Sequence, residues 1–252
     1  MSLPVRHQAS RYELKYIIDE RCARGVRDFV RSHLKRDPHA LPEMRCSYPI
    51  YSLYLDGPGL TLYTATQQAQ KNRYKLRIRY YDHEANSPVF FEIKRRVGDV
   101  IIKDRTCVKR ESVQHLLLHG VPRREDLANP EDAGDFATLC RFSELQHAIH
   151  ANPRLIVYFE REAWISHEDD ELRVTFDREA AAAHWEGALR PTRWFDPKVQ
   201  GVILELKFNN RFPLWMRELV CNWDLYRTRM GKYVFCMDNV PQPMRRMSTV
   251  PV

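Results

Sequence analysis

The chain has 252 residues, of which 44% are hydrophobic and 29% are charged, and its formal net charge is +7. This composition supports a packed core and predicts an anionic partner, while charge alone leaves nucleic acid, acidic lipid, nucleotide and polyphosphate open. The 33 acidic residues set against 40 basic ones argue against a simple nucleic-acid-binding tail.

The first half of the chain predicts one helix among several strands. Residues 11–16 alternate charged and apolar side chains at strand spacing. Residues 19–35 predict a helix, since Asp19 suits the N-cap and apolar residues follow at helical spacing. Gly98-Asp99 predicts a hairpin turn. Four further strands are predicted, at residues 50–56, 73–82, 89–97 and 100–109.

The second half predicts helices and strands in alternation. The predicted helices lie at residues 112–119, 135–150 and 213–223. The predicted strands lie at residues 154–165, 171–178, 202–208 and 232–237. The whole chain then has about eight or nine mostly antiparallel strands and four helices. We expect one domain over residues 1–240, followed by a disordered tail over 241–252.

Five strand segments share one pattern of charge. They lie at residues 11–16, 75–80, 92–94, 102–105 and 204–208. Because successive side chains of a strand point to opposite faces, one face is charged and the other consists of Leu, Ile, Phe and Tyr. Repetition on so many strands predicts an α+β fold in which an antiparallel sheet closes into a barrel around a charged interior. The apolar face would then pack outward against the helices.

Eleven basic side chains are candidates for this interior. They are Lys15, Lys75, Arg77, Arg79, Lys94, Lys103, Arg105, Arg161, Arg173, Lys207 and Lys232. Burying so many cations is costly unless water or a polyanion accompanies them. Their number exceeds what one phosphate needs and suits a chain of phosphates, such as a nucleoside triphosphate or polyphosphate.

Three carboxylates share the charged faces with these bases, namely Glu13, Glu92 and Glu205. A site built only to bind anions would avoid them. A divalent cation explains them, because Mg²⁺ and Mn²⁺ favour carboxylate and phosphate oxygens. This combination predicts metal-assisted phosphoryl transfer, which depends on positioning and electrostatics rather than on a Ser-His-Asp set.

The order and number of these segments resemble the VTC domain, the polyphosphate polymerase branch of the triphosphate tunnel metalloenzymes. The resemblance runs from Arg11 to about Met237. The opening strand carries Arg11-x-Glu13-x-Lys15, and Met230-Gly231 departs from the Ser that often precedes Lys232 in the family. The other matching segments are Tyr51-Ser52-Leu53-Tyr54-Leu55-Asp56, Lys75-Leu76-Arg77-Ile78-Arg79-Tyr80, Phe91-Glu92-Ile93-Lys94, Lys103-x-Arg105, Phe159-Glu160-Arg161, Arg173-Val174-Thr175-Phe176-Asp177 and Leu204-Glu205-Leu206-Lys207.

The resemblance implies an antiparallel eight-stranded tunnel in which the γ-phosphate of ATP is transferred to inorganic polyphosphate with the help of Mn²⁺ or Mg²⁺. It also implies that a helix plugs one end of the tunnel, for which residues 213–223 are the candidate. A membrane partner subunit is compatible with the family, and no nucleic-acid partner is expected. The implied catalytic residues are Lys15, Arg77, Arg79, Lys94 and Glu205. The implied substrate-binding residues are Lys75, Lys103, Arg105, Arg161, Arg173, Lys207 and Lys232, and the implied metal ligands are Glu205, Glu13 and Glu92.

Several alternatives remain open. On the same fold, water in place of the phosphate chain gives a tripolyphosphatase or nucleoside triphosphatase. A non-catalytic polyphosphate or inositol-phosphate binder would keep the bases but tolerate loss of the carboxylates, and a nucleic-acid binder would show exposed basic and aromatic stripes. The charged residues could also form ordinary solvated faces or ion pairs. The tyrosines at 48, 51, 54, 80 and 81 are interpreted as packing residues, one of which could stack on an adenine.

The expected location is the cytoplasm. The six cysteines form no CxxC pair and have no histidine at zinc-finger spacing, which is typical of reduced thiols. Residues 1–10 contain no apolar signal segment. The longest apolar runs, such as residues 155–159, are too short to cross a bilayer.

Overall fold

The computed structural model describes residues 11–40, 46–118, 120–167 and 172–241. The strands in this part of the chain are β1 (Arg11–Ile18), β2 (Lys35–Arg36), β3 (Tyr48–Asp56), β4 (Asn72–Tyr80), β5 (Val89–Val97), β6 (Val100–Val108), β7 (Asn152–Ile165), β8 (Arg173–His184) and β9 (Val202–Asn209). The α-helices are α1 (Glu20–Val30), α2 (Thr61–Gln67), α3 (Val113–Leu117), α4 (Ala133–Ala148), α5 (Leu214–Asn222) and α6 (Lys232–Asn239). The expected tail over 241–252 lies outside the described residues, apart from Pro241.

The strands form one large antiparallel sheet, so the fold is α+β as predicted. Its order is β2-β7-β3-β4-β5-β6-β1-β9-β8, and β8 also pairs with β7. The β1–β9 ladder runs along all of β1, but in the described part of the chain β1 meets β6 at the single pair Arg11 and Ile101. Antiparallel register from that pair places Glu13 opposite the hairpin turn at Gly98-Asp99 rather than opposite β6. The sheet therefore curls but is not closed into a continuous barrel, which corrects the expectation of full closure.

The apolar faces of the strands pack outward against helices, as the alternation predicted. Leu76 and Phe91 share a core with Leu139 and Phe142 of α4. On the same outer face, but at β9, Leu204, Leu206 and neighbouring residues pack against α1 and α5. The opposite, inward faces of the strands therefore remain for the charged side chains.

Helix α1 follows its predicted start. The Asp19 side chain accepts a hydrogen bond from the Cys22 backbone amide at 2.7 Å, which confirms it as the N-cap. Ala23, Val26 and Val30 are buried at helical spacing. The helix ends at Val30, and four residues separate it from the short strand β2.

Residues 232–237, predicted as a strand, lie instead in α6. Valine and the aromatic residues there favour a strand locally, but Tyr233, Cys236 and Met237 are buried together at the i, i+3, i+4 spacing of a helix. Helix α2 was not predicted, so the described residues contain six helices rather than four.

Helix α6 closes one end of the curled sheet. Its buried face packs on Tyr54, Phe159 and Ile203, and Ile203 shares the inward face of β9 with Glu205. Helix α5, the candidate plug from the sequence, instead packs on the outer side, where Met216 and Leu219 join the core with α1. No helix in the described ranges is both long and apolar enough to cross a membrane.

Candidate functional site

A cavity of about 900 Å³ opens on the charged inward face of the sheet. Loop residues 37–39 contribute to its lining beside the strands. The predicted site residues that line it are Glu13, Arg77, Arg79, Lys94, Lys103, Arg105, Arg161, Arg173 and Lys207. Of the other predicted residues, Lys15, Glu92 and Glu205 form ion pairs with lining residues. Lys232 pairs with Glu205, and Lys75 has no ion pair within the described residues.

Glu205 is the centre of the deepest ion-pair network. Its carboxylate accepts contacts from Lys15 at 3.1 Å, Lys207 at 2.6 Å and Lys232 at 3.1 Å, and from Arg161 at 3.4 Å. Burial raises the pKa of this carboxyl, but the four cations lower it well below its usual range. Glu205 therefore stays ionised although it is almost fully buried.

Lys15 joins Glu205 to Glu13. Its Nζ atom lies 3.0 Å from Glu13 Oε1 and 3.1 Å from Glu205 Oε1. Burial lowers the pKa of Lys15, and the two carboxylates raise it above the usual value. Glu13 also accepts a hydrogen bond from Lys94 Nζ at 2.9 Å. Two glutamates from the predicted metal set are thus adjacent.

Glu92 lies in a separate group of cations. Arg77 Nε donates to its Oε2 at 2.5 Å, and Lys103 Nζ and Arg105 Nε lie 3.7 and 3.6 Å from its Oε1. Burial raises the pKa of Glu92, but Arg77 and the neighbouring cations lower it far below the usual range. Its contacts are with this basic group rather than with Glu13 or Glu205.

Asp177 is a site residue that the sequence reasoning missed. Both oxygens of its buried carboxylate accept hydrogen bonds from Arg161, each at 2.6 Å, and Lys232 also donates to it. The pKa of Asp177 is lowered to about 2, because Arg161 and Lys232 outweigh the effect of burial. Arg173, Thr175 and Asp177 alternate along β8, so the strand parity used elsewhere could have found it.

The mouth of the cavity contains a second group without a sequence signal. Arg173 Nη2 donates to Asp37 Oδ2 at 2.5 Å and to the Tyr48 hydroxyl at 2.7 Å. Asp37 lies in the loop after β2, where no periodic pattern points to a site. Tyr48 was interpreted as a packing residue. Its ring is buried, as expected, and its hydroxyl also accepts the hydrogen bond from Arg173.

Two predicted cations have no ion pair within the described part of the chain, namely Lys75 and Arg79. Burial lowers the pKa of both, and neighbouring cations lower it further. The Nε atoms of Arg79, Arg105 and Arg173 are buried without a hydrogen-bond partner in the protein. Buried donors of this kind normally have partners, so the cavity is arranged for acceptor oxygens that the chain itself does not supply.

Two lysines at the cavity have unusual acidity. Burial lowers the pKa of Lys103 to about 7, although Glu92 partly opposes the effect. Burial likewise lowers the pKa of Lys207 to about 7, against the attraction of Glu205. The positive charge of the cavity therefore changes near neutral pH.

The carboxylates fit a metal ion only as a pair. Among the described residues, no group of three or more His, Cys, Asp or Glu side chains converges as a metal centre. Glu13 and Glu205, bridged by Lys15, offer hard oxygen donors beside the cavity. Mg²⁺ commonly uses one or two carboxylates together with water and substrate phosphate, so this pair fits, whereas Glu92 contacts Arg77, Lys103 and Arg105 and neither of the other two glutamates.

The fold and the site define an α+β protein whose curled antiparallel sheet encloses a cavity lined mainly by basic side chains. The family model of the VTC domain matches residues 10–240 of the chain. The chain therefore belongs to the VTC domain family. This family supports an activity on triphosphate-type compounds.

Comparison with solved structures gives distant matches. A Bacillus halodurans protein provisionally named an adenylate cyclase has 10% identity and a TM-score of 0.49, covering 89% of this chain and 95% of its own. The PH1819 protein from Pyrococcus horikoshii OT3 has 12% identity and a TM-score of 0.46, covering 90% and 98%. The Mimivirus capping enzyme triphosphatase has 10% identity and a TM-score of 0.33, covering 85% and 88%. These similarities are too low to argue a reaction, and no curated protein matches the chain.

Proposed function

We propose that the protein is a metal-dependent polyphosphate polymerase that transfers the γ-phosphate of ATP onto a growing inorganic polyphosphate chain. The observation that carries this proposal is the cavity itself, where buried guanidinium donors lack protein acceptors. Membership of the VTC family supports the choice of phosphate as the missing acceptor. Arginine is suited to this role because its planar donors match phosphate oxygens.

The proposed roles follow from position. Arg77 and Arg79 lie on β4 and Lys103 lies on β6, with β5 between them, and all three would hold the phosphates of the substrate. On the opposite wall, Arg161 and Lys207 line the cavity and are positioned by Asp177 and Glu205. Such fixed charges stabilise a transferring phosphoryl group without having to reorganise during the reaction.

Lys15 and Lys94 hold the carboxylate of Glu13, and Lys15 also holds Glu205. Mg²⁺ or Mn²⁺ held by Glu13 and Glu205 would neutralise charge on the substrate phosphates. Lys15 lies between the two carboxylates, so we propose that its ammonium supplies the neutralising charge when no metal is bound. Glu92 would orient Arg77 rather than bind metal.

Hydrolysis of tripolyphosphate or a nucleoside triphosphate is the second candidate. The same residues would serve, with water as the attacking group. The observation that favours it is α6, whose buried face covers the inward apolar residues at one end of the sheet. A growing polymer needs a route out of the site, whereas a released phosphate can leave through the mouth.

One assay separates these candidates. The purified protein is incubated with ATP and Mn²⁺ or Mg²⁺, and the products are resolved on gels that reveal polyphosphate. Long chains support the polymerase, and phosphate release without chains supports the hydrolase. Glu205→Gln should abolish either activity, while Glu218→Gln, a matched change at an exposed position of α5, should not. Unchanged turnover in Glu205→Gln would contradict the proposed role of this carboxylate.

The proposal also includes a cytoplasmic location, inorganic polyphosphate as the second substrate and a membrane partner subunit. These follow from the family resemblance and from the sequence. Fractionation of cells that express the tagged full chain would test the location and the partner together.

A further inference from the structure

A short turn after β2 reaches the mouth of the cavity. It has the sequence Asp37-Pro38-His39-Ala40, and its first three residues line the cavity. The Ala40 amide donates to the Asp37 carbonyl at 3.0 Å, and the His39 amide donates to Asp37 Oδ1 at 3.0 Å. Aspartate suits the first position of such a turn and proline the second. The Asp37 amide also donates to the Ala163 carbonyl at 2.9 Å, so the turn is anchored to β7.

The turn leaves the second carboxylate oxygen of Asp37 for the cavity. Asp37 Oδ2 accepts from Arg173 Nη2 at 2.5 Å and from the Tyr48 hydroxyl at 3.2 Å. Arg173 Nη2 donates to the same hydroxyl at 2.7 Å. Burial raises the pKa of Tyr48, so its hydroxyl stays protonated and can donate to Asp37. Asp37 is only 3% exposed, which makes its carboxylate a buried support rather than a surface group.

Arg173 is the member of this group that faces the cavity. Its side chain is 27% exposed, and its Nε is buried without a hydrogen-bond partner in the protein. In the register between β8 and β9 it lies directly opposite Lys207, which also lines the cavity and contacts Glu205 at 2.6 Å. Each of these two bases is therefore held by a buried carboxylate. A cation that is fixed in advance loses less conformational freedom when it binds an anion.

We propose that Asp37 is a positioning residue that holds Arg173 for an anionic group at the mouth of the cavity. This inference rests on the proposed function, since the anion is taken to be the outermost phosphate of a chain in the cavity. By Coulomb's law, a negative charge beside such a site opposes binding. Asp37 favours binding only if it acts through Arg173, so the sign of its effect separates the two cases.

The test compares the original protein with four variants. Asp37→Asn keeps an oxygen for the turn and replaces the oxygen that faces Arg173 and Tyr48 with an amide nitrogen. Asp82→Asn is the matched control, because Asp82 also lines the cavity but pairs at 3.4 Å with Arg110, which does not. Arg173→Gln and the double variant complete a double-mutant cycle. Calorimetry gives the dissociation constant of inorganic tripolyphosphate, and thermal unfolding confirms that each variant is folded.

Asp37→Asn should weaken tripolyphosphate binding about tenfold, the size of one charge-assisted hydrogen bond, although it removes a negative charge. Asp82→Asn should not weaken binding. In the Arg173→Gln background, Asp37→Asn should cause no further loss, because its effect passes through Arg173. Unchanged or tighter binding in Asp37→Asn, equal weakening in Asp82→Asn, or a tenfold loss that persists without Arg173 would overturn the positioning role.

The same measurements separate this inference from the proposed function. If the original protein binds tripolyphosphate and shows the expected cycle but turns over no ATP, Asp37 keeps its positioning role and the polymerase and hydrolase are both rejected. If the original protein binds no tripolyphosphate, the phosphate site and the role of Asp37 fall together.

Discussion

Asp177 joins three parts of the site through one buried carboxylate. It holds Arg161 through two hydrogen bonds and also accepts from Lys232, the first residue of α6. Arg161 in turn lies 3.4 Å from Glu205. The hydrogen bonds to Asp177 fix the orientation of the Arg161 guanidinium in the cavity. The N–H donors that the carboxylates do not use are the ones that remain for a ligand.

Asp177→Asn should destabilise the fold by up to about 3 to 5 kcal/mol, since it removes one carboxylate from a buried network and leaves Arg161 and Lys232 to share Glu205. The measurement is urea unfolding followed by circular dichroism. Asp196→Asn, at an exposed ion pair with Lys198, is the matched control and should leave the urea midpoint close to that of the original protein. A loss below about 1 kcal/mol for Asp177→Asn would show that the network is not the tight pair described.

Lys103 and Lys207 predict how binding depends on pH. With a pKa of about 7 in the fold, each is protonated below pH 7 and loses its charge above it. Binding of inorganic tripolyphosphate should therefore weaken as the pH rises from 7 to 9. Lys103→Arg keeps its charge throughout this range and should flatten the dependence, as measured by calorimetry at each pH. An unchanged slope in Lys103→Arg would exclude Lys103 as the titrating group.

The same two lysines also predict how the free energy of unfolding changes with pH. Their pKa in the unfolded chain is near the ordinary value of about 10.4, so the unfolded state binds more protons between pH 7 and that value. Their contribution to the free energy of unfolding should therefore rise with pH in this window, opposite to the trend in ligand binding. Denaturant titrations of the ligand-free protein at pH 7 and 9, compared with Lys103→Met, would measure it.

At the scale of elements, α6 shows how tertiary contacts override local preference. Residues 232–237 contain side chains that suit a strand, yet the buried set follows helical spacing. In a strand, positions 234 and 236 would share a face, whereas in α6 only Cys236 is fully buried. The two assignments therefore predict different responses to mutation at these positions.

Cys236→Asn should destabilise the protein by about 1 to 3 kcal/mol, because it buries a polar group in the apolar cluster around Tyr233. Val234→Asn should have a smaller effect, since Val234 is only half-buried. Thermal unfolding of the two variants gives the comparison. Equal losses at both positions would favour the strand.

Much of the site followed from strand parity alone. The period of two placed Arg77, Arg79 and Lys94 on one inward face, and it needed no knowledge of the fold. Asp177 lies on β8 at the same period of two, so the same rule could have predicted it. Asp37 was not, because it lies in a loop and meets Arg173 from 136 positions away in the chain.

At the scale of the whole molecule, the register between distant strands decides whether the sheet closes, which the sequence alone could not predict. The alternation predicted a charged interior, but closure depends on how β1 meets β6, and within the described residues Arg11 pairs with Ile101 alone. Lys103 and Arg105 follow this pair along β6, and both line the cavity. The described sheet thus combines a basic pocket with an apolar end under α6.

The most direct measurement is a crystal structure of the full chain grown with inorganic tripolyphosphate and Mn²⁺. We expect the phosphates inside the cavity, with their oxygens accepting from the Nε atoms of Arg79 and Arg105, which have no hydrogen-bond partner in the protein, and the metal beside Glu13 and Glu205. Phosphate bound only on the outer surface, with these guanidiniums still unpartnered, would contradict the account.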